Sequence, residues 1–260
     1  MNIAITTTRN PGEDLINKAQ SIAKELDIPY VERGNYSINK IIERNKIENF
    51  LFVEKDKIVL KGEYNTFFWH PSTSAFKIKA IKEGLNKPME EALNLNSGDS
   101  VLDCTLGLAT DAIVFSSIVG ETGEVIGVEG NKYIACITKN GLKSYKDVDE
   151  EIKIFMSRIE VVNLSHEEYL LSKPDNSFDV VYFDPMFKSP NEKSVSINSF
   201  RGFAHQEGIK KETIMQALRV CKKRVVIKER VGSGEFERLG VQECYGNGKF
   251  GSIAYGIIKK

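Results

Sequence analysis

Between residues 98 and 228 the chain alternates short apolar runs with segments of helical period, and this alternation narrows the fold more than any other feature. Ser100–Asp103, Val125–Glu129, Arg158–Val162, Phe178–Phe183 and Arg224–Lys228 read as strands. Helical spacing fills three of the intervals, at 111–119, 132–143 and 211–221, and a β pair divided by Gly246-Asn247-Gly248 closes the chain. Strands that alternate with helices cross over right-handedly and build a parallel sheet covered on both faces. The expected class is therefore α/β.

The first 70 residues repeat the alternation on a smaller scale. A strand at Asn2–Thr7 precedes Leu15, Ile16, Ala19, Ile22, Ala23 and Leu26 at helical spacing. An extended piece at Pro29–Glu32, a helix capped by Ser37 before Ile38, Ile41 and Ile42, and a hairpin from Phe50 to Leu60 turning at Lys55-Asp56 follow. Phe76, Ile78, Ile81 and Leu85 predict an amphipathic helix over 75–85, and Asn96-Ser97-Gly98-Asp99 breaks the chain after it. The expected organisation is a small α/β domain at 1–70, a connecting helix and linker at 71–97, and a larger domain at 98–260.

Composition excludes several classes. The chain has 260 residues, with 36 Lys+Arg against 36 Asp+Glu, and is 41% apolar and 28% charged. Collagen, disulfide scaffolds and wholesale disorder do not look like this. No run approaches the roughly 18 apolar residues that span a bilayer, and the N-terminus lacks a basic start followed by an apolar stretch. Cys104, Cys136, Cys221 and Cys244 are scattered without a CxxC pair, so neither a metal site nor a disulfide framework is expected, and a reducing cytoplasm fits.

In open α/β sheets ligands gather at the carboxyl ends of the parallel strands. The first such strand ends in Asp103 and runs through Cys104-Thr105-Leu106-Gly107-Leu108-Ala109-Thr110 into a helix, a small-residue turn that suits either a ligand loop or a tight structural turn. The second ends in Glu129, 22 residues after Gly107, where a carboxylate can accept from both ribose hydroxyls. Together they point to an adenosine-containing cofactor, and a nicotinamide site shares the pattern. Asp103 separates the two: it would repel a pyrophosphate but suits a cofactor carrying an ammonium and a sulfonium. The third strand leads into Asn163-Leu164-Ser165-His166. Ser165 there fits an adenine edge or, with Glu168 three residues on, a capping box.

The fourth strand carries Phe178-Asp179-Val180-Val181-Tyr182-Phe183-Asp184-Pro185-Met186-Phe187. It resembles the Asp/Asn-Pro-Pro-Tyr/Phe motif of methyltransferases that act on planar exocyclic amines. Asp184 and a carbonyl left free by Pro185 can accept the two amine hydrogens while Phe187 stacks on the ring. Together with VLDCTLGLATDA at 101–112 and RVVIK at 224–228, the segment is similar to the bacterial small-subunit ribosomal RNA guanine-N2 methyltransferase family. The resemblance spans about Gly98 to Lys228. It implies a Rossmann-like, seven-stranded methyltransferase sheet with a small N-terminal α/β domain, and S-adenosyl-L-methionine as cofactor. By position it implies cofactor contacts at Thr110, Asp111, Glu129, Gly130, Ser165, His166 and Asp184, beside Asp103 and Gly107. The chain departs from the family at Thr110, where arginine is usual, at Ala109, which replaces a glycine, and at His166, which replaces a second serine.

The charge is unevenly spread. Residues 180–260 hold 15 basic and 8 acidic side chains, so the remainder carries the compensating excess of acid. Lys188, Lys193, Arg201, Lys210 and Lys211 lie in or just after the segment following Asp184-Pro185. Lys188 and Arg201 in particular are candidates for contacting the phosphates of an RNA substrate, against the alternative of a solvated loop. The function expected is N-methylation of a guanine amine in ribosomal RNA. Adenine in DNA, a protein glutamine, a nicotinamide oxidoreductase and a noncatalytic RNA-binding module are the alternatives. No membrane and no metal is expected to take part. Trp69-His70-Pro71 reads as packing, against the alternative of lining the domain junction near the cofactor, and Lys228 either faces the acceptor or solvates the sheet end.

Overall fold

The computed structural model describes residues 2–62, 66–71, 73–185, 208–246 and 252–260. These divide into two compact units, the first formed by residues up to His70 together with 136–147, the second by the rest.

The first unit is built on a four-stranded sheet, β1 (Ile3–Thr7), β2 (Asn49–Val53), β3 (Ile58–Gly62) and β4 (Thr66–Phe68), in that spatial order. β1 pairs parallel with β2, Ile3 opposite Asn49, and the other pairs are antiparallel. Helices α1 (Glu13–Glu25) and α2 (Ile38–Asn45) supply the parallel crossover. Ala4, Phe50, Phe52 and Val59 pack with Ile41 and Ile47. The alternate positions Ile3, Ile5, Leu51, Val53 and Leu60 are equally buried, so both faces are covered. Ser37 caps α2 as expected, its side chain accepting from the Lys40 N–H. The extended piece expected at Pro29–Glu32 is only a single parallel bridge, Tyr30 to Ile5. Trp69, 2% exposed, packs edge-on to Tyr145. A Cβ at Gly141 would lie 2.3 Å from its ring, so glycine alone permits this contact.

The second unit begins with α3 (Ser74–Lys82) and α4 (Lys87–Leu93). The 71–97 stretch expected to connect domains is thus two helices. Met89, Ala92 and Leu93 of α4 are fully buried, and α4 packs on the sheet's antiparallel edge. The expected apolar face of α3 is corrected: Ile78 is buried, but Phe76 and Leu85 are largely exposed. Ser74 lies beside Ile78 in the interior instead, so the helix is rotated away from its greasiest side chain.

The remaining elements are β5 (Ser100–Asp103), α5 (Thr110–Val119), β6 (Glu124–Val128), α6 (Lys132–Ser144, counted with the first unit from Cys136 on), α7 (Glu150–Ser157), β7 (Ile159–Val162), α8 (His166–Ser172), β8 (Phe178–Phe183), α9 (Lys211–Val220), β9 (Cys221–Arg230), α10 (Glu235–Leu239), β10 (Glu243–Tyr245) and β11 (Ile253–Lys259). Their seven strands lie in the order β10-β11-β9-β8-β5-β6-β7. β5 to β9 are parallel, and β11 enters antiparallel beside β9 with β10 outside it. This is the doubly wound sheet the alternation predicts. The chain builds outward from β5 to β7, then returns to place β8 on the other side of β5. The carboxyl ends of β5 and β8 therefore flank the point where strand order reverses, the place where such sheets form a crevice. Leu102, Val181, Phe183, Val225 and Ile227, with Ile214 and Ala217 of α9, form the core under that rim.

Candidate active site at the strand ends

The turn after β5 is held from three sides. The N–H of Cys104 donates to the carbonyl of Tyr182, that of Leu106 to Val128, and that of Ala109 to Leu106. Gly127 lets the Leu106 side chain sit on the backbone of β6, because a Cβ there would come within 2.2 Å of it. Gly107 and Ala109 both take positive φ, 51° and 59°. Ala109 so adopts a conformation that glycine reaches without steric cost.

Glu129 follows β6 and turns toward this loop. Its carboxylate accepts from the N–H of Gly107 at 3.1 Å and of Asn131 at 2.8 Å. The side chain of Asn163, after β7, donates to the Glu129 carbonyl at 2.8 Å. The spacing argument thus brings Gly107 and Glu129 into direct contact, with Gly130 exposed beside them. Thr110 opens α5 and is half-buried. Ser165 caps α8: its hydroxyl accepts from the Glu168 N–H, and the Glu168 side chain returns to the Ser165 backbone. Of the two readings of Ser165, the capping box is present in the structure. His166 packs edge-on to Phe183 and lies 3.3 Å from Glu167.

The densest chemistry lies between β5, β8 and β9. Lys228 on β9 extends its ammonium to Asp184 at 2.6 Å and to Asp111 at 2.9 Å, with only 13% of its side chain exposed. Asp111 also accepts from Lys77 of α3 at 2.5 Å and from the Tyr182 hydroxyl at 2.8 Å. Its carboxylate, implied by resemblance as a cofactor contact, is therefore occupied by three side chains inside the unit. Burial alone would raise the Asp111 carboxyl, but the charges of Lys228 and Lys77 outweigh it and hold the group far below the usual range. Burial works against the Lys228 ammonium as well, and the Asp111 and Asp184 carboxylates overcome it, keeping the lysine charged. Lys228 and Lys77 were not expected as partners of any site residue.

Asp103 completes the cluster. It is 2% exposed and accepts from the Thr105 N–H at 3.0 Å. The Thr105 hydroxyl lies 3.4 Å from the same carboxylate oxygen and accepts from the Asp184 N–H at 2.6 Å, so one threonine ties the two strand ends together. Burial raises the Asp103 carboxyl to about 8; the fields of Asp111 and Asp184 add to the rise, against the Thr105 N–H and Lys228. Three carboxyls, Asp103, Asp111 and Asp184, stand against two ammonium groups, Lys77 and Lys228. Among the described residues the group is one cation short, and Asp103 is the carboxyl left over. A desolvated acid of this kind fits the ammonium of an amino-acid-bearing ligand.

Asp184 is partly exposed and Pro185 half-buried at the end of β8. Phe187, Lys188, Lys193 and Arg201 lie outside the described residues. Lys210, at the start of α9, stands 3.8 Å from Glu167. Among the described residues no group of three or more His, Cys, Asp or Glu side chains is placed to hold a metal ion. Among them, too, no helix is long and apolar enough to cross a membrane.

Comparison with known proteins agrees with this architecture. The chain is 38% identical over 256 residues to "Uncharacterized protein YpiP" of Bacillus subtilis (strain 168), covering 98% of each. It is 32% identical over 178 residues to "Ribosomal RNA small subunit methyltransferase J" of Francisella tularensis subsp. holarctica, covering 64% of this chain and 68% of that one. The protein of the same name from Hydrogenovibrio crunogenus is 28% identical over 150 residues, and the chain spans about half the length of that relative. Among solved structures, a SAM-dependent methyltransferase from Neisseria gonorrhoeae shares the fold, with a TM-score of 0.64 over 98% of this chain and 95% of that one at 19% identity. Residues 40–237 match the family described as "Putative SAM-dependent methyltransferase". The chain belongs to this family of S-adenosylmethionine (SAM)-dependent methyltransferases.

Proposed function

We propose that the chain methylates the exocyclic amine of a guanine in small-subunit ribosomal RNA, acting in the cytoplasm. The observation that carries the reading is the coupling of Asp103 and Asp184 through Thr105 at the point where strand order reverses. One carboxyl has the burial and charge deficit that an ammonium would relieve, and the other stands at the adjacent strand end with its proline. The name shared by the Francisella and Hydrogenovibrio relatives supports ribosomal RNA as the substrate class.

In this reading Asp103 binds the cofactor's ammonium, and Glu129 accepts from the ribose while Gly107, Thr110 and Gly130 shape the loop around it. Ser165 and His166 lie along the adenine. When bound, SAM supplies an electrophilic methyl group on a sulfonium. Asp184 and the Pro185 carbonyl accept the two amine hydrogens, which orients the nitrogen lone pair and stabilises positive charge developing on it. Burial raises the Asp184 carboxyl, and Lys228 opposes that rise and aims the group, while its own contact with Asp111 fixes the lysine. Phe187 stacks on the base, and Lys188 and Arg201 contact neighbouring phosphates.

Purified protein with labelled SAM, offered RNA, DNA and protein fractions separately, tests the substrate class; label confined to DNA or protein refutes it. Asp184→Ala should lower methyl transfer at least a hundredfold while leaving cofactor affinity within a few-fold, and full activity in that variant overturns the assignment of Asp184.

A further inference from the structure

Four cations of the first unit stand over two aromatic rings and a fifth bonds beside them, and among the described residues none of the five has a carboxylate inside ion-pair distance. Arg9, after β1, and Arg33 both donate through Nε to the carbonyl of Tyr36, at 3.4 and 3.3 Å. Lys40 and Arg44, one turn apart on α2, stand over the Tyr36 ring at 5.4 and 5.1 Å. Arg33 also lies over the Phe52 ring at 5.4 Å, joined there by Lys61 at 5.2 Å. Arg9, Tyr36, Lys40 and Arg44 are exposed.

Residues 2–62 hold ten basic and nine acidic side chains, so the unit is close to neutral and this concentration is a segregation of charge, not a surplus. Like charges one helical turn apart, as Lys40 and Arg44 are, destabilise a helix. Burial and the neighbouring charge of Arg9 lower the Arg33 pKa, against the opposing field of Glu54. A fold that gathers repelling cations around an exposed ring, with the nearby acids Glu43 and Glu54 outside ion-pair distance of them, presents a surface complementary to a polyanion that also has flat rings to stack.

We infer that the Tyr36 cluster is an RNA-docking surface, its cations contacting phosphates and Tyr36 offering a stacking face. This deepens the reading of RNA as substrate and rests on it. The surface supplies affinity without reading sequence, since arginine and lysine on phosphates carry no base information.

The test uses the full chain and a small-subunit rRNA fragment, with binding measured across a salt series. Arg9, Lys40 and Arg44 are replaced together by glutamine, with Lys24→Gln on α1 as the control and circular dichroism confirming the fold. Three lost phosphate contacts should flatten the slope of log affinity against log salt by about two, from roughly 0.7 per contact on a single strand, and weaken binding at low salt at least tenfold. Binding of S-adenosylhomocysteine should not change. If the wild type binds and methylates the RNA and the triple variant matches it in affinity and slope, the docking surface is refuted alone. If the wild type does not bind RNA at any salt, the docking surface and the substrate reading fall together.

Discussion

Asp103→Asn should make the ligand-free chain more stable while removing its grip on the cofactor. The wild-type carboxyl is 2% exposed and burial raises it from 3.8 to about 8. A carboxyl raised on folding costs nothing below its unfolded value. It destabilises the native state increasingly as pH climbs toward the folded value and levels off above that. At pH 7 the interval above 3.8 is a little over three units, which at about 1.4 kcal/mol each sets a ceiling of roughly 4 kcal/mol. At pH 5 the same reasoning gives less than about 2 kcal/mol. Asparagine keeps an oxygen for the Thr105 N–H and carries no charge to desolvate. Urea unfolding of both proteins at pH 5 and pH 7 should therefore show a gain for the variant that grows with pH.

The same carboxyl makes cofactor binding depend on pH. An ammonium needs Asp103 ionised, so S-adenosylhomocysteine affinity should rise as pH increases from 6 toward 8, approaching tenfold per unit, with a proton released on binding. Methylthioadenosine, which lacks the amino acid, should show no such rise, and neither should S-adenosylhomocysteine with the Asn variant. An Asp103→Asn protein less stable than wild type at pH 7, or one that binds S-adenosylhomocysteine normally, would show that Asp103 is not the surplus carboxyl of the cluster.

Lys228→Met leaves Asp111 and Asp184 facing each other with one cation removed from a buried network, a change that costs about 3–5 kcal/mol; chemical unfolding at pH 7 reads it, and a loss under 1 kcal/mol would mean the network contributes little. Because Asp111 is held below its unfolded value, the stability it lends the wild type is present above about pH 4 and is lost as pH falls toward its folded value. An acid-unfolding series should show Lys228→Met losing its deficit relative to wild type at the acid end. Ala109→Gly relieves a positive φ in a non-glycine residue and should stabilise the chain by up to about 1 kcal/mol after the added freedom of the unfolded glycine is counted. A rise in melting temperature checks it, and a fall would mean the alanine methyl is well packed in the loop.

Much of the larger sheet was legible because each parallel strand is a local signal: four to six apolar residues, bounded by turn residues, followed by a helical period. β5, β6, β7 and β8 fall within a residue or so of the expected segments. β9 is longer, starting at Cys221 directly after α9, because Lys222 and Lys223 look like a loop in sequence. Lys223 in fact reaches Asp99 and Asp179 along the sheet end. The short helices α4, α7 and α10 went unread, since five to eight residues complete too few turns to show a period unless a cap marks the start, as Ser37 marks α2. Phe76 misled for a related reason: hydrophobicity says that a side chain is apolar, whereas the packing against α5 decides which face of α3 turns inward.

The strand-end residues were legible in the same local way, Asp103, Glu129 and Asp184 each following an apolar run. What was hidden is the set of partners that gives those acids different chemistry. Lys228 lies 117 residues from Asp111 and 44 from Asp184, and Lys77 lies 34 residues before Asp111 on a helix expected only to connect two domains. In sequence, Asp103 and Asp111 are two acids flanking one loop, and nothing local distinguishes them. In the fold, two ammonium groups converge on Asp111 and, among the described residues, none reaches Asp103 within bonding distance. That asymmetry leaves one of two similar carboxyls structural and the other available to a cation, and it arises only when β9 and α3 are laid against the β5 turn.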